Sequence, residues 1–199
     1  MQFLGSGLST ASRHREALVV HKAHLAHTSK FAHLGDTWHD IISSKSNIAA
    51  CLSELGMYDA ALTTFRECYA LQVQDEGPDT HTSLSIALNL CSVLSQQGHD
   101  DESEQFSDEQ RAVARRALGA EHTLTFQLNA VYAQSLWMRD HPTPKHLCGA
   151  IAVLEKIIRT SSRVLGNQNP VTAKFEYDLG VARDTLGELR GRGSPGPPT

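Results

Sequence analysis

Aromatic residues make up only 6% of this 199-residue chain, and no stretch approaches the run of about 18 apolar residues that a membrane-spanning helix needs. The opening MQFLGSGLSTASRHREALVV holds no apolar run long enough for a secretory leader, so the expected compartment is the cytoplasm. Cysteine is sparse as well. Cys51, Cys68, Cys91 and Cys148 stand singly, with no Cys-x-x-Cys pair to hold a metal or run redox chemistry. All but one of them fall on the apolar faces of predicted helices and read as small core residues rather than disulfide partners. Strand signals are absent, because β-branched residues nowhere alternate over a run bounded by turn residues. Basic residues are slightly outnumbered, 18 Lys and Arg against 22 Asp and Glu, and the formal charge of −4 argues against nucleic acid or an anionic membrane as a general partner.

Signatures of catalysis are missing too. The chain has no glycine-rich phosphate loop ending in Gly-Lys-Ser/Thr, no histidine pair around a glutamate, and no serine elbow. A nucleophile needs a base within reach and a third group to orient it, and no such trio stands at a defined spacing. No enzymatic activity and no cofactor are expected.

What the chain has is a comb of glycines. Gly35, Gly56, Gly77, Gly98 and Gly119 recur every 21 residues, and after a five-residue slip the comb resumes at Gly166 and Gly187. Glycine tolerates the left-handed conformation that closes a helix, so each interval reads as a helix plus a short turn. Alternate teeth differ in context: Gly56 and Gly98 follow SNIAACLSELG and LNLCSVLSQQG, whereas Gly119 and Gly166 follow the long polar helices ending ARRALG and SRVLG. The full period is therefore 42 residues, one helical hairpin per repeat.

Apolar spacing fills in the helices. Trp38, Ile41, Ile42, Ile48, Ala49, Leu52 and Leu55 recur at three- and four-residue steps, and Tyr58, Ala61, Leu62, Phe65, Cys68 and Leu71 form a facing stripe. The next pair sets Leu84, Leu88, Cys91 and Leu94 against Phe106, Val113 and Leu118. The third sets Leu128, Tyr132 and Leu136 against Ile151, Leu154, Ile157 and Val164, and a last helix carries Val171, Phe175, Leu179 and Leu186. The pattern predicts an all-α array over 13–189: a half-repeat at 13–34, repeats at about 36–76, 78–118 and 120–165, and a half-repeat at 167–189. Residues 1–12 are expected to be a flexible start, and the glycine- and proline-rich 190–199 a disordered tail.

Two local clusters invite sharper readings. His21, His24 and His27 lie three apart, with His14 and His33 nearby, and adjacent pairs at this spacing can approach one metal on a helix face. No carboxylate joins them locally, so no metal site is expected and the run reads as a solvated helix face. The segment HDDESEQFSDEQRAVARR puts acids at the start of a helix and Arg111, Arg115 and Arg116 at its end, which helix-dipole complementarity explains without a ligand.

Within the period, Asn47-Ile48-Ala49, Leu52 and Gly56 recur as Asn89-Leu90-Cys91, Leu94 and Gly98, with Tyr58, Ala61, Phe65 and Cys68 on the second helix. This pattern resembles the 42-residue tetratricopeptide repeats of the kinesin light chain type, over roughly Arg13 to Leu189. It loosens along the chain, to Asp100, Ser103 and Gln110, then Val131, Tyr132, Ala133, Leu136 and Asp140, then Asp178, Leu179, Gly180 and Gly187 with Arg183 at an apolar place.

The resemblance implies a right-handed superhelical solenoid whose first helices line a concave, peptide-binding wall. Carried over residue by residue, that wall holds Ser43, Asn47, Ala50 and Glu54, then Ser85, Asn89, Ser92 and Gln96, then Gln127, Val131 and Gln134, then Lys174, Asp178 and Val181. Lys174 is the one basic residue among them, so a neutral or mildly basic peptide, or a helical protein surface, suits this wall better than an acidic tail. The implied role is a non-catalytic protein-interaction scaffold. The alternative is the repeat portion of a larger signalling or enzyme polypeptide, serving regulation or oligomerisation. The chain shows none of the sustained heptads that would point to association with a motor.

Overall fold

In the computed structural model, which describes residues 13–31 and 38–192, the glycine comb resolves into two conformations that serve two kinds of joint. Gly56 and Gly98 have φ of 74° and 69°. Gly56 N–H donates to Ser53 O at 2.9 Å and Met57 N–H to Leu52 O at 2.9 Å, a pairing repeated by Gly98 to Ser95 and His99 to Leu94. This is the Schellman closure of a helix, and it lets the next helix begin after a three-residue turn. Gly77, Gly119 and Gly166 instead combine φ near 90° with ψ of 169°, 164° and 156°, an extended left-handed region that only glycine enters cheaply. Gly35 lies outside the described residues.

Eight helices follow among the described residues: α1 His14–Ser29, α2 Trp38–Glu54, α3 Tyr58–Glu76, α4 His81–Gln96, α5 Asp100–Leu118, α6 Thr123–Trp137, α7 Pro144–Leu165 and α8 Pro170–Arg192. No strand occurs among them, and the architecture is an all-α helical repeat solenoid. The second type of joint carries a hydroxyl six residues on. Ser83 Oγ donates to Gly77 O at 2.6 Å and Thr125 Oγ1 to Gly119 O at 2.8 Å. Thr172 stands at the same place after Gly166 and is fully buried, but its hydroxyl has no partner among the described residues.

The chain divides into two compact units, 1–93 and 94–199. In the first, α1 packs on α2 and α2 on α3. Ala61 and Cys68 are fully buried, which brings α3 close enough for Cys68 Sγ to lie 3.8 Å from Ile42 O. Phe65 fills the space beside them. Burying such side chains contributes on the order of 1.5–3 kcal/mol each for the larger ones. Trp38, assigned above to the apolar stripe, is 40% exposed because it is the first residue of its helix.

In the second unit α5, α6, α7 and α8 pack in succession, and α8 also reaches α6. Its core joins Phe126, Ala130, Ala133 and Leu136 to Ala150, Leu154, Ile157, Phe175 and Ala182. Gly149 allows a close approach here, since a Cβ at that position would sit 3.4 Å from Leu136 Cδ1. The five-residue slip has a structural origin. The α6–α7 turn takes six residues, 138–143, and α7 runs to 22 residues against 19 in α3 and α5. That longer turn is well used: Thr143 and His146 form a capping box around Pro144, and Arg139 bridges Asp101 and Glu104 at the start of α5. Val164, placed in the core stripe above, is 41% exposed in the last turn of α7. Gly187 does not stop α8, which continues to Arg192, three residues into the segment read above as tail. Leu186 is buried on this helix, so its packing outweighs the roughly 1 kcal/mol that an internal glycine costs.

Candidate interaction surface

The polar residues of the first helices fall into two groups by what their side chains already do. In the first unit, Ser43, Asn47 and Ala50 on α2 are half-buried, Glu54 is exposed with Oε2 3.8 Å from His14 Nε2, and on α4 Asn89 is exposed. Ser92 Oγ donates to Leu88 O at 3.0 Å and Ser85 Oγ lies 3.5 Å from His81 Nδ1. Asn47 and Asn89 make no hydrogen bond to any described residue. Their carboxamides, each able to donate and accept, are left to water or a partner.

In the second unit Gln96 is exposed, Gln127 is half-buried, and neither bonds to a described residue. Gln134 differs. Its Nε2 donates to Asp178 Oδ2 at 3.0 Å, which ties α6 to α8. Asp178 is only 4% exposed, and burial raises its pKa above the usual aspartate value, against the opposing pull of the Gln134 bond and the Lys174 charge. Val131 is buried, Val181 half-buried and Lys174 exposed. Half-buried Gln134 and buried Asp178 are therefore brought together as a bonded pair.

The histidine run does not converge. His21 is buried with Nδ1 unpaired among the described residues, His24 Nδ1 lies 2.6 Å from Ser44 Oγ, and the His27 ring packs on Phe31 at 5.2 Å between centroids. His33 lies outside the described residues. Among those described, one group has ligand atoms close enough for a metal, the exposed trio His39, Asp75 and Glu76, whose donor atoms lie within 4.8 Å of one another.

Geometry adds a concavity that periodicity alone does not reveal. A groove of about 830 Å³ lies across α6 between the second helices α5 and α7. Its floor is Thr125, Phe126 and Asn129. Its walls carry Arg111, Arg115 and Arg116 on one side and Lys156 and Arg163 on the other, with Asp108 and Glu121 at the edges. At 100° per residue, the floor positions stand about half a turn of α6 away from Gln127, Val131 and Gln134, so none of the wall residues derived above lines it. The signal for it was present in sequence as cations at helical spacing on two helices. What sequence could not supply was their juxtaposition across some forty-five positions.

Comparison with known proteins agrees with the fold. A tetratricopeptide-repeat family model matches residues 83–124. A crystal structure of nearly identical TPR-like repeats of a kinesin light chain kind from Podosopora anserina is similar over 96% of this chain and 87% of its own, with a TM-score of 0.74 at 15% identity. A point variant of the same repeats gives a TM-score of 0.75 at 15% identity, over 96% of this chain and 86% of that one. BtubC (BKLC) from P. vanneervenii matches over 98% of this chain and 81% of its own, with a TM-score of 0.69 at 14% identity. No curated protein matches the chain by sequence. No helix among the described residues is long and apolar enough to cross a membrane. The fold is that of a tetratricopeptide-repeat array of the kinesin light chain type.

Proposed function

We propose that this chain is a non-catalytic, cytoplasmic interaction scaffold that holds an extended peptide or a helical partner on the polar face of its first helices. The repeat fold supports the scaffold role, since stacked hairpins supply long surfaces rather than enclosed pockets. The observation that carries the choice of face is the pair of unbonded carboxamides at Asn47 and Asn89, one on each of two first helices of the same unit. A carboxamide that both donates and accepts can hold a peptide backbone without demanding a particular side chain. Their wall neighbours are neutral or acidic, Ser43, Ser85, Ser92 and Glu54, which suits a neutral or mildly basic segment.

The test is a partner screen with the purified chain, followed by titration of the strongest hit against N47A/N89A. Loss of backbone hydrogen bonds should weaken binding by roughly 1–3 kcal/mol. Helicity and melting should stay unchanged, because neither carboxamide bonds within the chain's described residues. Affinity should vary little between low and physiological salt, since the face offers few cations for screening to act on. Undiminished binding by the double variant would overturn the choice of face.

A further inference from the structure

We propose that the groove between α5 and α7 is a second docking site, for an acidic segment of a partner protein. This rests on the scaffold reading only in taking the partner to be a protein, and it concerns the other side of the first helices.

Charge sets the groove apart from the rest of the surface. Five cations line it against two carboxylates, in a chain that is acidic as a whole. Both carboxylates are already engaged: Asp108 Oδ1 accepts from Arg111 Nε at 2.7 Å, and Glu121 pairs with Arg163. Arg111 is further occupied over the Tyr132 ring, 4.1 Å from its centroid. Arg115, Arg116 and Lys156 are exposed and have no ion-pair partner among the described residues. The helix dipole favours Arg115 and Arg116 in the last turn of α5, but it explains neither Lys156 in the middle of α7 nor the convergence of both sets on one concavity.

Shape and lining select the kind of anion. A volume of about 830 Å³ falls within the usual range of roughly 300–1,000 Å³ for ligand sites. Between the cations lie Ala112, Ala152, Val153 and Ile157, so carboxylates and apolar side chains can be met together. Nucleic acid fits poorly. Tyr132 is covered by Arg111 and Phe126 is only 1% exposed, which leaves no aromatic face for a base to stack on. A long polyanion would also meet Asp100, Asp101 and Glu102 farther along α5. A short acidic stretch with interspersed apolar residues matches both the charge and the walls.

The experiment uses the intact chain and fluorescence anisotropy of labelled peptides, a mixed Glu/Leu sequence and its Gln/Leu counterpart. The Glu/Leu peptide should bind at least tenfold more tightly than the Gln/Leu peptide, and its affinity should fall as salt is raised. R115E/K156E should reduce that affinity roughly tenfold or more, and R115Q/K156Q should reduce it by less, with circular dichroism showing both variants folded. Equal binding of the two peptides, or Glu/Leu binding that survives R115E/K156E, would overturn the inference. If N47A/N89A removes acidic-peptide binding while R115E/K156E keeps it, the groove is refuted and the first-helix scaffold stands. Single-stranded DNA or anionic vesicles binding through Arg115 and Lys156 more tightly than the peptide would overturn the assignment to an acidic protein segment.

Discussion

Thr125 and Thr172 receive the same substitution with opposite expected outcomes. Each stands six residues after a joint glycine and each is buried, yet Thr125 donates to Gly119 O at 2.8 Å while the Thr172 hydroxyl has no partner among the described residues. Thr→Val keeps the side chain's size and removes only the hydroxyl. At position 125 this deletes a hydrogen bond worth a net 0.5–1.5 kcal/mol and leaves the Gly119 carbonyl short of a donor, so the expected loss is about 1–2 kcal/mol. Gly119 is itself half-exposed, and water will recover part of the carbonyl's loss, which keeps the figure below the full penalty of about 3 kcal/mol. At position 172 the substitution removes a hydroxyl that already bears its desolvation cost, so stability should hold or rise by up to about 1–2 kcal/mol. For a chain of this size roughly 2–4 °C of melting temperature corresponds to each kcal/mol. T125V should therefore melt about 2–8 °C lower than the parent chain and T172V at the same temperature or higher, read by circular dichroism. Both sites lie in the same unit, so both variants report on the same packing. A T172V variant that melts as low as T125V would refute the reasoning, because it would mean that Thr172 is bonded in solution.

Two further outcomes follow from titratable groups. Asp178 has a folded pKa above the ordinary aspartate value, so its contribution to stability is present below about pH 4 and is lost as pH rises through the folded value. D178N should thus gain on the parent chain between about pH 4 and pH 7 in paired urea unfolding curves, and a difference that is flat or opposite in sign would contradict the burial account. Burial pushes the thiols of Cys68 and Cys91 up to about 11 and about 12, while Cys148 is exposed. A chromogenic disulfide at neutral pH should modify Cys148 at once and those two only on unfolding, and a native burst that includes either would show their helices opening.

The repeat was legible because its cause is local. A backbone that must enter the left-handed region selects glycine whatever surrounds it, and Gly56 and Gly98 show the conformation their spacing predicted. Even the difference in context between alternate teeth had a physical referent, since Gly56 and Gly98 close their helices with Schellman hydrogen bonds and the other joints place an extended ψ at the glycine. Gly187 was misread for the converse reason. With no following helix among the described residues to demand a turn, nothing requires that glycine to leave the helix. The polar wall was only half legible. Sequence periodicity puts Gln134 and Asp178 on the first helices, but their mutual bond joins residues 44 positions apart, and a single-helix pattern cannot report it.

Charge shows where averaging over a chain fails. A formal charge of −4 is a sum over the whole chain, and beyond the Debye length of about 8 Å at physiological salt its field is largely screened. Within a groove the local set decides instead. Arg139 neutralises acids at the start of α5, Arg111 and Arg163 hold the carboxylates at the groove's edges, and the remaining cations are left to face one another across α6. Like charges gathered this way repel, weakly where water and salt screen them, and an anion placed among them would relieve that repulsion. The same helix α6 thus separates two chemistries, uncharged carboxamide on the side of Gln127 and uncompensated cation on the side of Asn129. If both proposed surfaces bind, partners of different charge would not compete for one surface.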